Sequence, residues 1–153
     1  MDIRKNASFC TDHRKFAEGL YVSRIDGDVT TYDMRMRKPN GGDYMDNITM
    51  HTFEHMFSTY IRNSGLDVIY FGPMGCQTGF YLLVRNADND EVSEKIKTCC
   101  RQITEHEGDV FGASEEECGN YRNLDLDTAK REAPRYIEIL NGKKIDFKYY
   151  EED

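Results

Sequence analysis

Alternating apolar and polar residues predict one long strand in the first quarter of the chain. In the segment VTTYDMRMR, residues 29–37, one face of the strand carries Thr30, Tyr32, Met34 and Met36. The other face is polar and carries Thr31, Asp33, Arg35 and Arg37, which is the pattern of a half-buried antiparallel strand. Shorter apolar runs at 19–24, 67–71 and 79–85 predict three more strands, and residues 143–150 predict an edge strand.

A period of three to four residues predicts a helix from about Asn47 to Asn63. Its apolar residues are Met50, Phe53, Phe57, Tyr60 and Ile61. Asn47 or Thr49 is a suitable N-cap for this helix. Gly65 follows its end and suits the left-handed conformation that often closes a helix.

Two later segments also have a helical period. A capping box from Asp88 to Glu91 begins the first, and its inward face is Val92, Ile96, Cys99 and Ile103. The second begins near Asp125 or Asp127, and Pro134 should kink it or split it in two. Together these elements predict an α+β fold, a mostly antiparallel sheet packed with helices in a single domain.

Composition narrows the classes of partner. The 153 residues suit one catalytic domain spanning 1–153, and 28 Asp+Glu against 20 Lys+Arg give a net charge of −8. An acidic chain without a basic stripe predicts no nucleic-acid partner. No run approaches the roughly 20 apolar residues of a membrane span, and the first residues lack the apolar run of a signal peptide. We therefore expect a cytoplasmic protein that does not enter a membrane.

The five cysteines are expected to be free thiols. An odd number of cysteines without an export signal argues against a disulfide framework. The sequence contains no CxxC pair, so a structural zinc site of four cysteines is not expected. Cys99 and Cys100 fall on a predicted helix and are expected to fill the core. Cys10 lies near the start and receives no role.

The segment HTFEH predicts a metal site. His51 and His55 stand four residues apart, so a helix places them on one face, with Glu54 at its edge. Zinc and iron(II) accept imidazole ligands readily, and an unliganded carboxylate beside them can transfer protons. The alternative is a pair of surface histidines, but the neighbouring Phe53 and Phe57 predict a partly buried face.

Two loop cysteines stand out from the core ones. Cys76 lies in the glycine-rich segment GPMGCQTG between two predicted strands, where a thiolate can approach a ligand, unless the thiol merely packs in a hairpin. Cys118, in EEECGN, is either an idle exposed thiol or a third metal ligand. In the second case a fourth coordination position stays open, as catalytic sites require.

Three kinds of protein fit these residues. One is a metal enzyme with a general base. Another is a peptidase, because H-x-x-E-H is also the inverted zinc-protease signature, although such enzymes need no loop cysteine like Cys76 or Cys118. The third is a metal sensor or storage module, which would need a closed ligand set, and no fourth strong ligand is apparent.

HTFEH, GPMGCQTGFY and ECG, in this order, resemble the S-ribosylhomocysteine lyase family, which makes the precursor of autoinducer-2. The resemblance runs from SFCTDH (8–13) through YDMRMRKPN (32–40) to DLDTAK (125–130), so it covers most of the chain. It implies a homodimer with active sites at the subunit interface. It also implies cleavage of S-ribosylhomocysteine to homocysteine and 4,5-dihydroxy-2,3-pentanedione.

The resemblance further implies one divalent ion per subunit, Fe²⁺ or Zn²⁺, with water or substrate as its fourth ligand. The implied metal ligands are His51, His55 and Cys118. The implied proton-transfer groups are Glu54 and Cys76. The implied substrate-binding residues are Ser8, His13 and Arg35, although Arg35 on the polar face of its strand also fits a solvated arginine.

The reaction explains these residue types. The ribose carbonyl must migrate from C1 to C2 and then to C3 before β-elimination expels homocysteine from C5. Each migration removes a proton beside a carbonyl and passes through an enediolate, whose charge a metal stabilises as a Lewis acid. Several proton transfers on different carbons need more than one base, and the positive charge of the metal should favour the thiolate of Cys76.

The chain departs from the family at one place. Many members have DISPMGC before the reactive loop, whereas this chain has YFGPMGC. Tyr70 therefore replaces an acidic residue that is suited to hold the substrate's amino group. The backbone carbonyls of Phe71 or Gly72 are the alternative acceptors for that group.

Overall fold

Four antiparallel strands form one sheet in the order β1-β2-β4-β3 in the computed structural model, which describes residues 2–151. The strands are β1 (Gly19–Asp26), β2 (Val29–Arg35), β3 (Asp67–Pro73) and β4 (Gly79–Arg85). Three helices follow or separate them, α1 (Asn47–Arg62), α2 (Asn89–Glu105) and α3 (Leu126–Asn141), and a 3₁₀ turn spans Ala7–Cys10. The α+β prediction is confirmed.

The helices pack together on one face of the sheet. That face carries Tyr32, Met34, Phe80 and Leu82, all fully buried, in one apolar cluster with residues of all three helices. Phe53 of α1 lies 5.2 Å from Phe80, measured between ring centroids. Cys99 and Cys100 are buried in the same cluster, as predicted, and burial raises the pKa of Cys99 to about 12.

The other face of β2 is not solvated. Asp33 is fully buried and Arg35 is only 2% exposed, although the alternation predicted a half-buried strand and allowed a solvated arginine. The reason is that the two charges neutralise each other: an ion pair of 2.6 Å joins Arg35 Nη2 to Asp33 Oδ2. The N-terminal segment and the segment after α3 also contribute side chains here, since Phe16 and Tyr149 contact this pair.

Aspartates cap all three helices. Asp46 accepts a hydrogen bond from the backbone N–H of Thr49 and is therefore the N-cap of α1. The prediction that Asn47 or Thr49 caps this helix is wrong. Asp88 and Asp125 cap α2 and α3 in the same way, at positions the sequence indicated. Their side chains replace backbone acceptors that the first turn of a helix lacks.

Two other predictions need correction. Pro134 lies inside α3, which continues to Asn141, so of the two predicted effects, a kink or a split, the split is wrong. Residues 143–150 do not form an edge strand: a single parallel bridge joins Tyr21 to Phe147. Phe147 has a left-handed backbone, with φ at 65°, which interrupts the extended course that the residue pattern predicted.

The length and polarity of a helix determine whether it can cross a membrane. Within residues 2–151, none of the helices combines the length and the apolar character that crossing a bilayer requires.

Candidate metal centre

α1 places the two histidines of HTFEH one turn apart on a half-buried face. The ring centroids of His51 and His55 are 4.7 Å apart, and the ring planes are nearly perpendicular, at 86°. Phe53 and Phe57, on the opposite side of the helix, are fully buried in the core. The apolar side of α1 therefore fixes the rotation of the helix, and that rotation turns both imidazoles to the same side.

Backbone carbonyls fix the tautomer of both rings. His51 Nδ1 lies 3.0 Å from the carbonyl oxygen of Asn123, and His55 Nδ1 lies 2.7 Å from that of Phe111. Because a carbonyl only accepts hydrogen bonds, each Nδ1 carries the proton and donates. In the neutral ring the lone pair is then on Nε2, which is the arrangement found in metal-ligating histidines.

Cys118 approaches the same point from the loop before α3. Its Sγ lies 3.4 Å from His51 Nε2, and the ligand atoms of His51, His55 and Cys118 all lie within 4.8 Å of one another. A tetrahedral ion bonded at about 2.0–2.3 Å keeps neighbouring N and S ligands roughly 3.3–3.7 Å apart. The 3.4 Å between His51 and Cys118 lies in this range, and a donor set of two imidazoles and one thiol suits a divalent ion with one coordination position open.

The loop 106–120 is shaped to fit this site. Gly112 has a left-handed backbone, with φ at 70°, and a Cβ there would lie 3.0 Å from His55 Nδ1. Only glycine combines that conformation with such a close approach. Further along, the backbone N–H of Cys118 donates to the Ser114 carbonyl, and the N–H of Asn120 donates to the Cys118 sulfur at 3.4 Å.

Glu54 borders the cleft beside the two histidines. The cleft measures about 640 Å³, and its lining includes His51, Glu54, Met74, Gly75, Asn120 and Asn123. The carboxylate is half-buried and also borders a second hollow, of about 560 Å³, with His55, Tyr70 and Glu117. Glu54 therefore lies close to the ligands and open to a space large enough for a small molecule.

Cys76 lies in a different hollow of the same chain. A space of about 210 Å³ brings it together with His13, Arg35 and Thr78, three residues from separate parts of the chain. The neighbouring Gly75 and Gln77 line the metal cleft instead. Within one chain, then, the glycine-rich loop separates the exposed thiol from Glu54 and the ligands.

A polar network supports this thiol. The guanidinium of Arg35 donates to both oxygens of Asp33, from Nε at 3.0 Å and from Nη2 at 2.6 Å. Its Nη1 donates to Thr78 Oγ1 at 2.8 Å and lies 4.0 Å from Cys76 Sγ, while Thr78 Oγ1 and Cys76 Sγ are 3.0 Å apart. The Tyr149 hydroxyl donates to Asp33 at 2.7 Å.

The charges in this network hold one another in place. Burial by itself lowers the pKa of Arg35, but attraction to Asp33 outweighs that effect, and the pKa lies above its usual value. Burial, followed by the charge of Asp33, raises the pKa of Tyr149, which stays a neutral donor. Sequence reasoning missed Asp33, Thr78 and Tyr149. The only signal was that Asp33 and Arg35, two residues apart, share a strand face.

Ser8 and Tyr70 border a further hollow, on the outer face of the sheet, together with Tyr81. Ser8 is thus apart from both other groups of site residues within one chain. The phenol of Tyr70 folds over Gly72, where a Cβ would lie 2.0 Å from Tyr70 Oη. Tyr70 and Gly72 in YFGPMGC are therefore sterically matched, because a larger residue at 72 would displace the phenol.

Fold and site together define a class, an α+β domain with a candidate three-ligand metal centre on a helix. The family model described as S-Ribosylhomocysteinase (LuxS) matches residues 6–146. The chain belongs to this family, and the family resemblance inferred from the motifs is confirmed. The match does not favour the peptidase alternative.

Curated relatives agree with the family match over nearly their whole length. An S-ribosylhomocysteine lyase of Borrelia garinii is 39% identical, over 96% of this chain and 99% of that protein. One of Finegoldia magna is 38% identical, over 98% of this chain and all of that protein. One of Phocaeicola vulgatus is 40% identical, over 94% of both chains.

Proposed function

We propose that this chain, as one catalytic domain, cleaves S-ribosylhomocysteine to homocysteine and 4,5-dihydroxy-2,3-pentanedione. The observation that carries the proposal is the convergence of the ligand atoms of His51, His55 and Cys118 beside Glu54. Family membership and the names of the relatives supply the substrate. We expect the reaction to take place in the cytoplasm.

One divalent ion per subunit, Fe²⁺ or Zn²⁺, would be held by His51, His55 and Cys118. When bound, it supplies Lewis-acid stabilisation of negative charge on a substrate oxygen. The protein contributes the orientation of the ligands, since hydrogen bonds to the carbonyls of Asn123 and Phe111 hold both imidazole rings in place.

Glu54 is the proposed proton carrier on the metal side. It precedes the ligand His55 by one residue, so the same helix fixes both. A carboxylate at the edge of the cleft can take a proton from a sugar carbon beside a carbonyl and return it to the neighbouring carbon or oxygen. Two carbonyl migrations require this transfer twice.

Cys76 is the proposed second base. The positive charge of Arg35 lies 4.0 Å from its sulfur, and attraction between the two groups contributes to the raised pKa of Arg35. His13 lines the same hollow and is proposed, with Arg35 and Ser8, to bind substrate.

A homodimer would unite the two groups of residues. In one chain the hollow of Cys76 is separate from the metal cleft, and Ser8 borders a third space. A reaction that uses both Glu54 and Cys76 needs them at one substrate. We therefore propose that the Cys76 hollow of each subunit faces the metal cleft of the other, across a surface that includes exposed apolar residues, Phe9 (69% exposed) and Tyr70 (53%) among them.

The test is an assay for released thiol. Protein purified without chelators would be analysed for bound metal and then given S-ribosylhomocysteine with a thiol-trapping dye. We expect about one metal per chain and steady thiol release, with turnover reduced by at least about 100-fold in Glu54→Gln and in Cys76→Ala while the metal is retained. One bound metal without thiol release would contradict the lyase and point to a hydrolase or a sensor.

A further inference from the structure

The carbonyl that fixes His55 belongs to a segment without regular structure. Residues 106–112 follow α2, and two of them, Gly108 and Gly112, have left-handed backbones, with φ at 101° and 70°. The Phe111 carbonyl nevertheless lies 2.7 Å from His55 Nδ1. Something must hold this segment against α1, because a shift of a few tenths of an ångström would lengthen that hydrogen bond.

His106 is bound on three sides at the start of this segment. Its Nε2 donates to the Asp109 carbonyl at 2.9 Å, so in the neutral ring Nδ1 must be an acceptor. The hydroxyl of Tyr60 lies 2.7 Å from Nδ1 and is therefore the donor. Lys130 of α3 donates from its ammonium group to the His106 carbonyl at 2.8 Å.

Tyr60 and His106 also pack against the ring of Phe111. The centroid of Phe111 lies 5.1 Å from that of Tyr60 and 4.9 Å from that of His106. Both pairs are edge-to-face, with interplanar angles of 76° and 71°, the favourable arrangement of aromatic pairs. Tyr60 lies on α1, five residues after His55.

We propose that Tyr60 and His106 are positioning residues of the metal centre. They join α1 to residues 106–112, and through the ring of Phe111 they hold its carbonyl against His55. His51 does not depend on these two residues, because its carbonyl partner belongs to Asn123. The side chain of Asn123 donates a hydrogen bond directly to Asn47 of α1. This inference rests on the proposed metal site and adds two residues that line neither the metal cleft nor the hollow of Cys76.

The variants for the test change as little as possible. Tyr60→Phe keeps the ring on Phe111 and removes only the hydroxyl donor. His106→Phe keeps a ring at 106 and removes both of its ring hydrogen bonds. Tyr32→Phe is the matched control, because it removes a comparable hydroxyl bond, 2.6 Å to Asn89 Oδ1, at a site that does not involve residues 106–112.

Two properties of each purified chain would be measured. One is the dissociation constant for Zn²⁺, by competition with a chromophoric chelator. The other is the ligand-field spectrum of the Co²⁺-loaded chain, which reports ligand orientation and which a loss of global stability alone does not shift. Circular dichroism of the metal-free proteins would show that each variant folds.

We expect Tyr60→Phe and His106→Phe to weaken Zn²⁺ binding by about 3- to 10-fold and to shift the Co²⁺ bands, with Tyr32→Phe unchanged. Direct hydrogen-bond partners of metal ligands are typically worth 10–100-fold, and these residues act one contact further out. The double variant should lose less than the product of the two single losses, since both act through Phe111.

Two results would overturn the inference in distinguishable ways. Wild-type affinity and spectrum in both variants would overturn it alone. A wild-type chain that binds neither ion would overturn the proposed metal site and this inference with it.

Discussion

At the scale of single residues, the candidate site depends on backbone groups as much as on side chains. The two histidines have the spacing that the sequence displays, but their readiness to bind a metal comes from the carbonyls of Asn123 and Phe111. Helical spacing predicted that His51 and His55 would lie together. It did not predict the carbonyls, because loop backbones are positioned by tertiary contacts that leave no local pattern.

Gly112 offers a test at this scale. Gly112→Ala would place a Cβ 3.0 Å from His55 Nδ1 on a left-handed backbone, so either the ring or the loop must move. We expect at least about a 10-fold loss of Zn²⁺ affinity, as is typical when a ligand's hydrogen-bond partner is disturbed. Competition with a chelator would measure it.

The matched control is Gly108→Ala. Gly108 also has a left-handed backbone, with φ at 101°, but nothing lies within 4 Å of the position of its Cβ. It should cost backbone strain of about 1 kcal/mol while leaving metal affinity unchanged. Equal losses of affinity in both variants would show that loop strain, and not contact with His55, controls the site.

At the scale of elements, α1 connects the core to the chemistry. Its apolar side packs on the sheet, its other side carries His51, Glu54 and His55, and Asp46 begins it. Asp46→Ala should lower the free energy of unfolding by about 1 kcal/mol, the usual value of an N-cap. Urea denaturation at neutral pH would measure this, and Asp46→Asn should recover only part of it, because an amide oxygen can still accept from Thr49 but carries no charge.

The same cap should depend on pH. The hydrogen bonds from Thr49 lower the pKa of Asp46 below 3.8, so the carboxylate contributes stability above its unfolded pKa and loses it as pH falls through the lowered value. The difference in stability between wild type and Asp46→Ala should therefore narrow in acid. A difference that stays constant from pH 7 to pH 3 would mean that the ionised cap is not the stabilising group.

Elements were predictable where the determinants are local. The strands at 67–71 and 79–85 and the caps Asp88 and Asp125 follow from short-range patterns, and the structure has them. The predicted N-cap of α1 was wrong because Asp46, Asn47 and Thr49 are all residue types that commonly cap helices. Only the backbone conformation determines which of the three is the cap. Residues 143–150 alternate like a strand, yet the left-handed Phe147 limits their pairing to one bridge.

At the scale of the whole molecule, the proposed reactive groups of one chain lie in separate spaces. Glu54 borders the metal cleft, and Cys76 lies with His13 and Arg35 in a separate hollow. Sequence order offered no hint of this division, because the residues of both groups are interleaved along the chain. The division arises because the glycine-rich loop places Cys76 in one hollow, while its neighbours Gly75 and Gln77 line the metal cleft.

A mixed dimer would test how the groups combine. Glu54→Gln and Cys76→Ala homodimers should each be nearly inactive, since every site lacks one base. If each site takes Glu54 from one subunit and Cys76 from the other, a heterodimer of the two variants contains one intact site and one doubly defective site. Random exchange makes half the dimers heterodimers, so activity should return to about a quarter of the wild-type value. If both bases came from the same subunit, no combination would contain an intact site, and the mixture would stay as inactive as its components; thiol release before and after subunit exchange separates these cases.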